Sequence, residues 1–417
     1  MILWQKLLLL YYYLAHPAYG DQRSSSSLAN LSSWAKQHGT TLHPAVQWVD
    51  YGDGDWGLQL TSKVDRGTEL IRVPRSIVLD SVVSRDEIIS SSTSVIENAN
   101  ECIIDALGPF QVHEENFWIV LKLYQCLREE RNGKHAPWIE AMPRKFRHFS
   151  KEEEDCLPFY AKYIADYQRQ KLDAFVDAAS VICGHKLEGK EKEQFTWAFD
   201  AVGSRFWKTT STIKEDYQPR SELVPVGDMF NHREPPNVKL YHDNDGDAVC
   251  FLYLGENDDT EDDKLTCYPK DLLITYGLGY NPHRFLVIFG FVPTDMKEIW
   301  CHFVFSDDNP YSVDVSKMVF QCKDGSIPQD VWDAVLYELD PSKDIELMRH
   351  DPMAKFYAAE VLNNHVAKQL EELASLREKI DFVVDGENLD LIKMHNHFLT
   401  DAFHRVQSNL KAELGKH

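Results

Sequence analysis

The segment Val224–His232 (VPVGDMFNH) lies between two other stretches dense in aromatic and polar residues, Trp197–Trp207 (WAFDAVGSRFW) before it and Leu272–Val292 (LLITYGLGYNPHRFLVIFGFV) after it. Alone, each has an ordinary explanation. An Asn-His pair such as Asn231-His232 caps turns, an arginine such as Arg205 lies over neighbouring rings, and a tyrosine such as Tyr276 at the end of an apolar strand packs into a core. Their order and surroundings carry more. From Val46 to Leu79 the chain reads as short strands broken by glycine: VQWV, the turn-rich YGDGDWG, GLQL, then TELIRVP. Short β segments return from Leu223 to Val292, where VKLY and VCFLYL flank Asp243–Asp247 as a hairpin would.

Between these β regions, from about 86 to 215, the apolar spacing is helical, as in Phe117, Val120, Leu121, Tyr124 and Leu127, with further helices around 160–179 and 192–207. From about 295 the pattern predicts helices over 327–339, 353–380 and 389–414. Strands broken by inserted helices do not follow the regular alternation of a doubly wound sheet, and no GxGxxG element follows an early strand. The expected class is α+β: short strands with a helical insert, followed by an all-helical C-terminal domain.

The 417 residues fit two domains better than one, and 43% hydrophobic with 26% charged residues is a globular composition. A formal charge of −22 without a basic cluster argues against direct nucleic-acid binding. Solubility explains this acidity, with attraction to a basic partner protein as the alternative. Residues 1–20, with Lys6, the apolar run Leu7–Leu14 and the small-residue end Ala18-Tyr19-Gly20, suit a secretory signal peptide. Its destination would be the secretory pathway or a plastid reached through it. Residues 21–44 are expected as a linker, or a second targeting element, with a leading helix. No stretch has the roughly 18 apolar residues of a membrane span, so the mature chain should lack a transmembrane segment.

Eight cysteines carry no CxxC or other zinc-like pairing. Buried thiols are the simplest account, and disulfides in an oxidising compartment the other. The turn Asp243–Asp247 lacks the glycine position and final glutamate of a calcium loop, and the run Glu256–Asp263 suits a solvated loop. His395 and His397 are two apart and should face different sides of a helix, so no metal is expected there.

In this order the pieces resemble the SET-domain methyltransferases, in the branch typified by Rubisco large-subunit lysine methyltransferase and the actin-histidine methyltransferase. Asp53–Leu58 is similar to that family's opening glycine motif and Arg66–Pro74 to the strand that follows it. The resemblance implies a SET domain over 45–294 with its insert at about 86–215, and a helical substrate-binding domain over 295–417. It implies S-adenosylmethionine as cofactor, contacted around Trp56, with Arg205 facing the cofactor carboxylate, Asn231 and His232 holding the amine and adenine, and Asp228 in support. Tyr276 matches the catalytic tyrosine.

Phe289 stands where the lysine-specific member has a tyrosine, and Pro282 where the family has an asparagine, with Asn281 one residue earlier. Either that loop shifts by one residue or the contact is lost. The implied function is methyl transfer to a lysine of a protein substrate, with histidine as the second acceptor; an inactive binding module of the same fold is the alternative. A monomer is expected.

Overall fold

The structure is a computed structural model and describes residues 25–52, 55–91, 99–129, 133–210, 219–243, 245–255, 268–277, 281–302, 318–383 and 386–416. The expected signal at 1–20, the motif tip Asp53-Gly54, and the acidic run 256–263 lie outside these residues. The chain forms two compact units, Met1–Phe146 with Ala174–Tyr276, and Arg147–Asp173 with Gly277–His417. Thus 147–173, inside the expected insert, groups with the C-terminal unit.

The first unit opens with helix α1 (Ser25–Gln37), so its serine-rich start is helical from Ser25 onward. Strand β1 (Thr41–Leu42) then falls within the segment expected as linker and helix, while β2 (Val46–Gly52), β3 (Asp55–Leu60), β4 (Glu69–Pro74) and β5 (Leu79–Asp80) follow where glycine-broken strands were expected. Helices α2 (Ser81–Ser91), α3 (Ala99–Leu107), α4 (Glu114–Arg128) and α5 (Ala136–Ala141) begin the insert. Its later part holds α6 (Lys151–Glu154), α7 (Phe159–Cys183) and α8 (Gly189–Arg205). The stripe Phe117, Val120, Leu121 and Tyr124 of α4 is buried. Phe117 meets Phe175 edge-on at 5.4 Å and Tyr124 meets Phe195 at 5.5 Å. Each such fully buried side chain contributes about 1.5–3 kcal/mol of transfer free energy, which anchors the insert.

Helix α8 stops at Arg205, and Trp207 begins a strand instead of extending the helix: WKTT, with its aromatic and β-branched residues, forms β6 (Trp207–Thr210). The remaining strands are β7 (Pro219–Leu223), β8 (Asn231–His232), β9 (Val238–His242), β10 (Ala248–Tyr253) and β11 (Lys270–Ile274). Their orders are β1-β4-β10-β9, β2-β3-β11-β8 and β5-β7-β6. Strands β9 and β10 pair antiparallel around the expected turn. Strand β10 lies between two neighbours and buries five of its six residues, as a central strand should.

In the second unit a helical turn, α9 (Pro282–Arg284), leads into a π-helical turn, Phe285–Phe289, that ends at Gly290 with φ +70°. A ribbon of β12 (Glu298–Trp300) and β13 (Val319–Gln321) departs from the all-helical region expected here; after it come the expected helices α10 (Gln329–Leu339), α12 (Pro352–Ile380) and α13 (Leu389–Leu414), with a short unexpected one, α11 (Ile345–His350), after α10. Asp351 caps α12 by accepting from the Met353 N–H at 2.9 Å, and Pro352 occupies the first turn, where no N–H is needed. Phe320, Leu362, Val366, Leu399, Phe403 and Val406 share one core. Gly325, at φ +71°, is backed by the Arg405 backbone, so only glycine fits there.

Among the described residues the cysteines are free thiols; Cys267 lies outside them. Among those residues no group of histidine, cysteine and acidic side chains could hold a metal, and no helix among them is long and apolar enough to cross a membrane.

Candidate active site

The site is built where β8 and β11 run parallel, with Leu273 opposite Asn231 and Ile274 opposite His232. A two-residue strand has little ladder of its own, so its placement needs outside support. Asn237 supplies it: its Oδ1 accepts from Leu273 N at 2.7 Å, its Nδ2 donates to Asp271 O at 2.9 Å, and its own N–H donates to Leu273 O at 3.1 Å. This asparagine is 1% exposed, and the losses of burial are met by hydrogen bonds. Sequence reasoning missed Asn237, because an asparagine after Pro235-Pro236 reads as a loop residue; its place just ahead of the apolar-alternating VKLY was the available signal.

With β11 fixed, Tyr276 comes two residues beyond its end. The Tyr276 N–H donates to His232 Nδ1 at 3.2 Å, the two rings lie 5.0 Å apart, and the Tyr276 hydroxyl donates to Phe230 O at 3.1 Å. The His232 Nδ1 therefore accepts, which places the neutral ring's hydrogen on Nε2. Having given its hydrogen to a carbonyl, the Tyr276 oxygen can only accept from a further donor. Asn231, His232 and Tyr276 are thus brought together.

The turn leading into β8 is shaped by packing. Val226 has φ +70° and is buried, a costly conformation for a β-branched residue. Gly227 has no room for a Cβ because the Phe251 ring of β10 lies directly against it, and Phe230 packs on the same ring at 5.0 Å. Asp228 follows, its carboxylate fully buried, accepting from Trp138 Nε1 at 2.9 Å and standing 3.9 Å from Arg205 Nε. It therefore backs Arg205 from behind instead of lining an open pocket. Arg205 itself ends α8, donates to Ser204 Oγ at 2.7 Å, and lies over the Phe146 ring at 5.7 Å. Trp138 is a supporting residue that the sequence did not single out.

Trp56 is buried in β3 opposite Asp50. Beside it, Gly57 is enclosed: a Cβ there would meet Tyr51 Cε2 at 2.5 Å and Asn231 Nδ2 at 3.2 Å. The glycine motif and the Asn-His motif are thus adjacent. Below the site Glu222 is fully buried, bonded by Arg75 and, at 2.9 Å, by His242 Nε2. Burial alone would raise its pKa, but the His242 hydrogen bond and the Arg75 charge outweigh that and hold it below the usual carboxylate value.

The fold is similar to that of known structures. Over 93% of this chain and 92% of the other, it superposes on the SET domain of LSMT bound to lysine and AdoHcy, with TM-score 0.57 and 12% identity. Rubisco LSMT bound to AdoMet gives TM-score 0.57 at 13% identity over 94% of this chain and 93% of that one, and Rubisco LSMT bound to sinefungin and monomethyllysine gives 0.55 at 13%. The chain has the SET fold. No family model and no curated protein sequence matches it, so the likeness lives in the topology, as the low identity would lead one to expect.

The other residues that the resemblance singles out, Asn281, Pro282 and Phe289, belong to the second unit. Asn281 Oδ1 accepts from His283 N at 3.1 Å and Arg284 N at 3.3 Å, capping the turn in which Pro282 takes the first position. Pro282 is therefore suited to its place as a helix starter, with Asn281 as its cap. Phe289 ends the π-helical turn, within ring contact of Phe285 and Phe291 at 5.9 and 6.3 Å. Of the predicted pair on α13, His395 is buried and His397 exposed.

Proposed function

We propose that this SET-fold chain is an S-adenosylmethionine-dependent protein methyltransferase acting on a side-chain nitrogen of lysine, with histidine as the second acceptor. The parallel pairing that sets Tyr276 against Asn231-His232 is the observation that carries it. Support comes also from the solved structures of this fold, one bound to lysine and AdoHcy, one to sinefungin and monomethyllysine and one to AdoMet.

The residues present fit the cofactor. The Asn231 side-chain amide makes no hydrogen bond to the described residues, so donor and acceptor are both available to a polar ligand. Arg205 offers a fork of donors that matches a carboxylate, which lysine would not reproduce. Its position is held by Asp228 and Trp138. The backbone around Trp56 and Gly57 lies beside Asn231, and it is the resemblance that gives Phe289 as a further cofactor-binding residue. When bound, the cofactor would supply an electrophilic methyl group on a sulfonium, for which the acceptor nitrogen must be held in line.

The chain's own part is orientation. The Tyr276 hydroxyl, bonded to Phe230 O, can accept from the N–H of an incoming amine and align its lone pair, so proximity and preorganised polarity do the work. A lysine must first shed its proton, at a cost of about 4–5 kcal/mol near neutrality; a neutral imidazole avoids most of that. With labelled cofactor and a proteome extract, wild-type protein should label a protein substrate and Tyr276→Phe should lose most of that labelling. Undiminished labelling by the variant would remove Tyr276 from the chemistry. An inactive scaffold would instead show no labelling, and a degenerate pocket no AdoHcy binding by calorimetry.

A further inference from the structure

Gly57 stands between two side chains that come from different strands. The Tyr51 ring of β2 and the Asn231 amide of β8 converge on the same small volume over its Cα: Tyr51 Cε2 lies 2.5 Å, and Tyr51 Oη and Asn231 Nδ2 each 3.2 Å, from where a Cβ would be. In the sheet order β2-β3-β11-β8 the strands β2 and β8 are not neighbours, yet the ring and the amide face one shared space over Gly57 of β3. The ring is not loose. Its hydroxyl donates to Asp271 Oδ1 of β11 at 2.5 Å, and the same oxygen accepts from Gln59 Nε2 of β3 at 2.7 Å. Three strands of one sheet thereby pin one aromatic ring.

The purpose of so firm a clamp is not stability of the hairpin alone, since β2 and β3 already pair along their length. What the ring decides is how much room the Asn231 amide has. With Gly57 beneath and the Tyr51 ring beside it, the amide is confined in one direction, and an amide whose rotamer is fixed before ligand arrival loses less entropy on binding. We infer that Tyr51, clamped by Asp271, is a positioning residue that presets the Asn231 amide for the adenosyl ligand. This rests on the cofactor role proposed above for Asn231. Asp271 acts through Tyr51, and neither residue touches the transferred methyl.

The test is a double-mutant cycle on the full chain, using Tyr51→Phe, Asp271→Asn and the pair, with S-adenosylhomocysteine as the calorimetric probe. Loss of one hydrogen bond's worth of preorganisation should weaken binding about 3- to 10-fold in each single variant. The pair should be no weaker than the poorer single, because the Asp271 carboxylate reaches the Asn231 amide through the ring, its other partner here being Gln59 of β3. The KM for S-adenosylmethionine should rise in parallel while kcat at saturating cofactor is retained, and the melting temperature should stay close to wild type for Tyr51→Phe. If the wild type binds tightly and the single variants bind equally well, or if the losses add and follow the melting temperature, Tyr51 and Asp271 merely brace the sheet and this inference fails alone. If the wild type itself binds no S-adenosylhomocysteine, the cofactor role of Asn231 and this inference fall together.

Discussion

Single residues in this chain are set by what touches them, and Gly227 shows it most directly. The Phe251 ring occupies the place of its missing side chain, in the turn that carries Asp228 and delivers Asn231. Gly227→Ala should therefore cost about 1–3 kcal/mol through overpacking and lower the melting temperature, with AdoHcy binding weakened as the turn shifts; a scan showing unchanged melting would mean that Phe251 moves aside freely. At this scale much of the site was legible. Arg205, Asn231, His232 and Tyr276 each have an ordinary explanation alone and were singled out by the order of their motifs; the structure brings the last three together. Asn237, Tyr51, Asp271 and Trp138 were not singled out, because their importance comes from partners far along the chain: Asp271 meets Tyr51 across 220 positions. A hydrogen bond of that separation leaves no local pattern.

At the scale of elements the long helices were readable and the short strands were readable only in part. Apolar periodicity fixes α4, α12 and α13 within a few residues, since burying one face is what makes such helices stable. The parallel pairing of β8 with β11 has no comparable signature, being two residues long and held by a side chain. Nor did the sequence show that His283, His302 and His395 would meet. They come from α9, from two residues beyond β12 and from α13, with His283 Nε2 and His302 Nε2 at 2.8 Å and the rings of His283 and His395 5.0 Å apart.

Tyr160 donates to His302 O, Gln369 lies 3.5 Å from His302 Nδ1, and Asn396 bonds His395. Burial holds all three imidazoles below their usual 6.5, His302 to about 3 and His395 to about 4. Between pH 6.5 and those values the unfolded chain binds protons that the folded one refuses, so stability is full above the unfolded value and falls as acid is added through that window. Thermal melts should show the transition of the second unit dropping between about pH 6.5 and 4.5, less steeply in His395→Gln. An acid limb of unchanged slope in that variant would assign the loss to other groups.

Across the whole molecule the dominant fact is charge: 66 acidic against 44 basic residues, a formal −22. Such an excess repels itself in the folded state. Raising salt from about 0.01 to about 0.15 M shortens the Debye length from about 30 to about 8 Å, so the melting temperature should rise over that range. A fall would show that attractive pairs such as Arg72–Asp243, at 2.6 Å, outweigh the net repulsion. The overall plan was legible as an order of β, helix, β and helix, and the SET fold was expected from the motifs. The grouping of 147–173 with the C-terminal unit was not, because compactness depends on which helices share a core, and periodicity says only that a helix has a buried face.

The side chain of Asn237 takes the place of a neighbouring strand along β11, and this has an observable face. The Leu273 amide hydrogen ends on a side-chain carbonyl and not on a backbone one. Its exchange with deuterium is therefore governed by how long one amide group stays seated, independently of any ladder fraying from the sheet's edge. That single hydrogen becomes a clock for the strand on which Tyr276 is carried, ticking at the rate at which the base of the site opens.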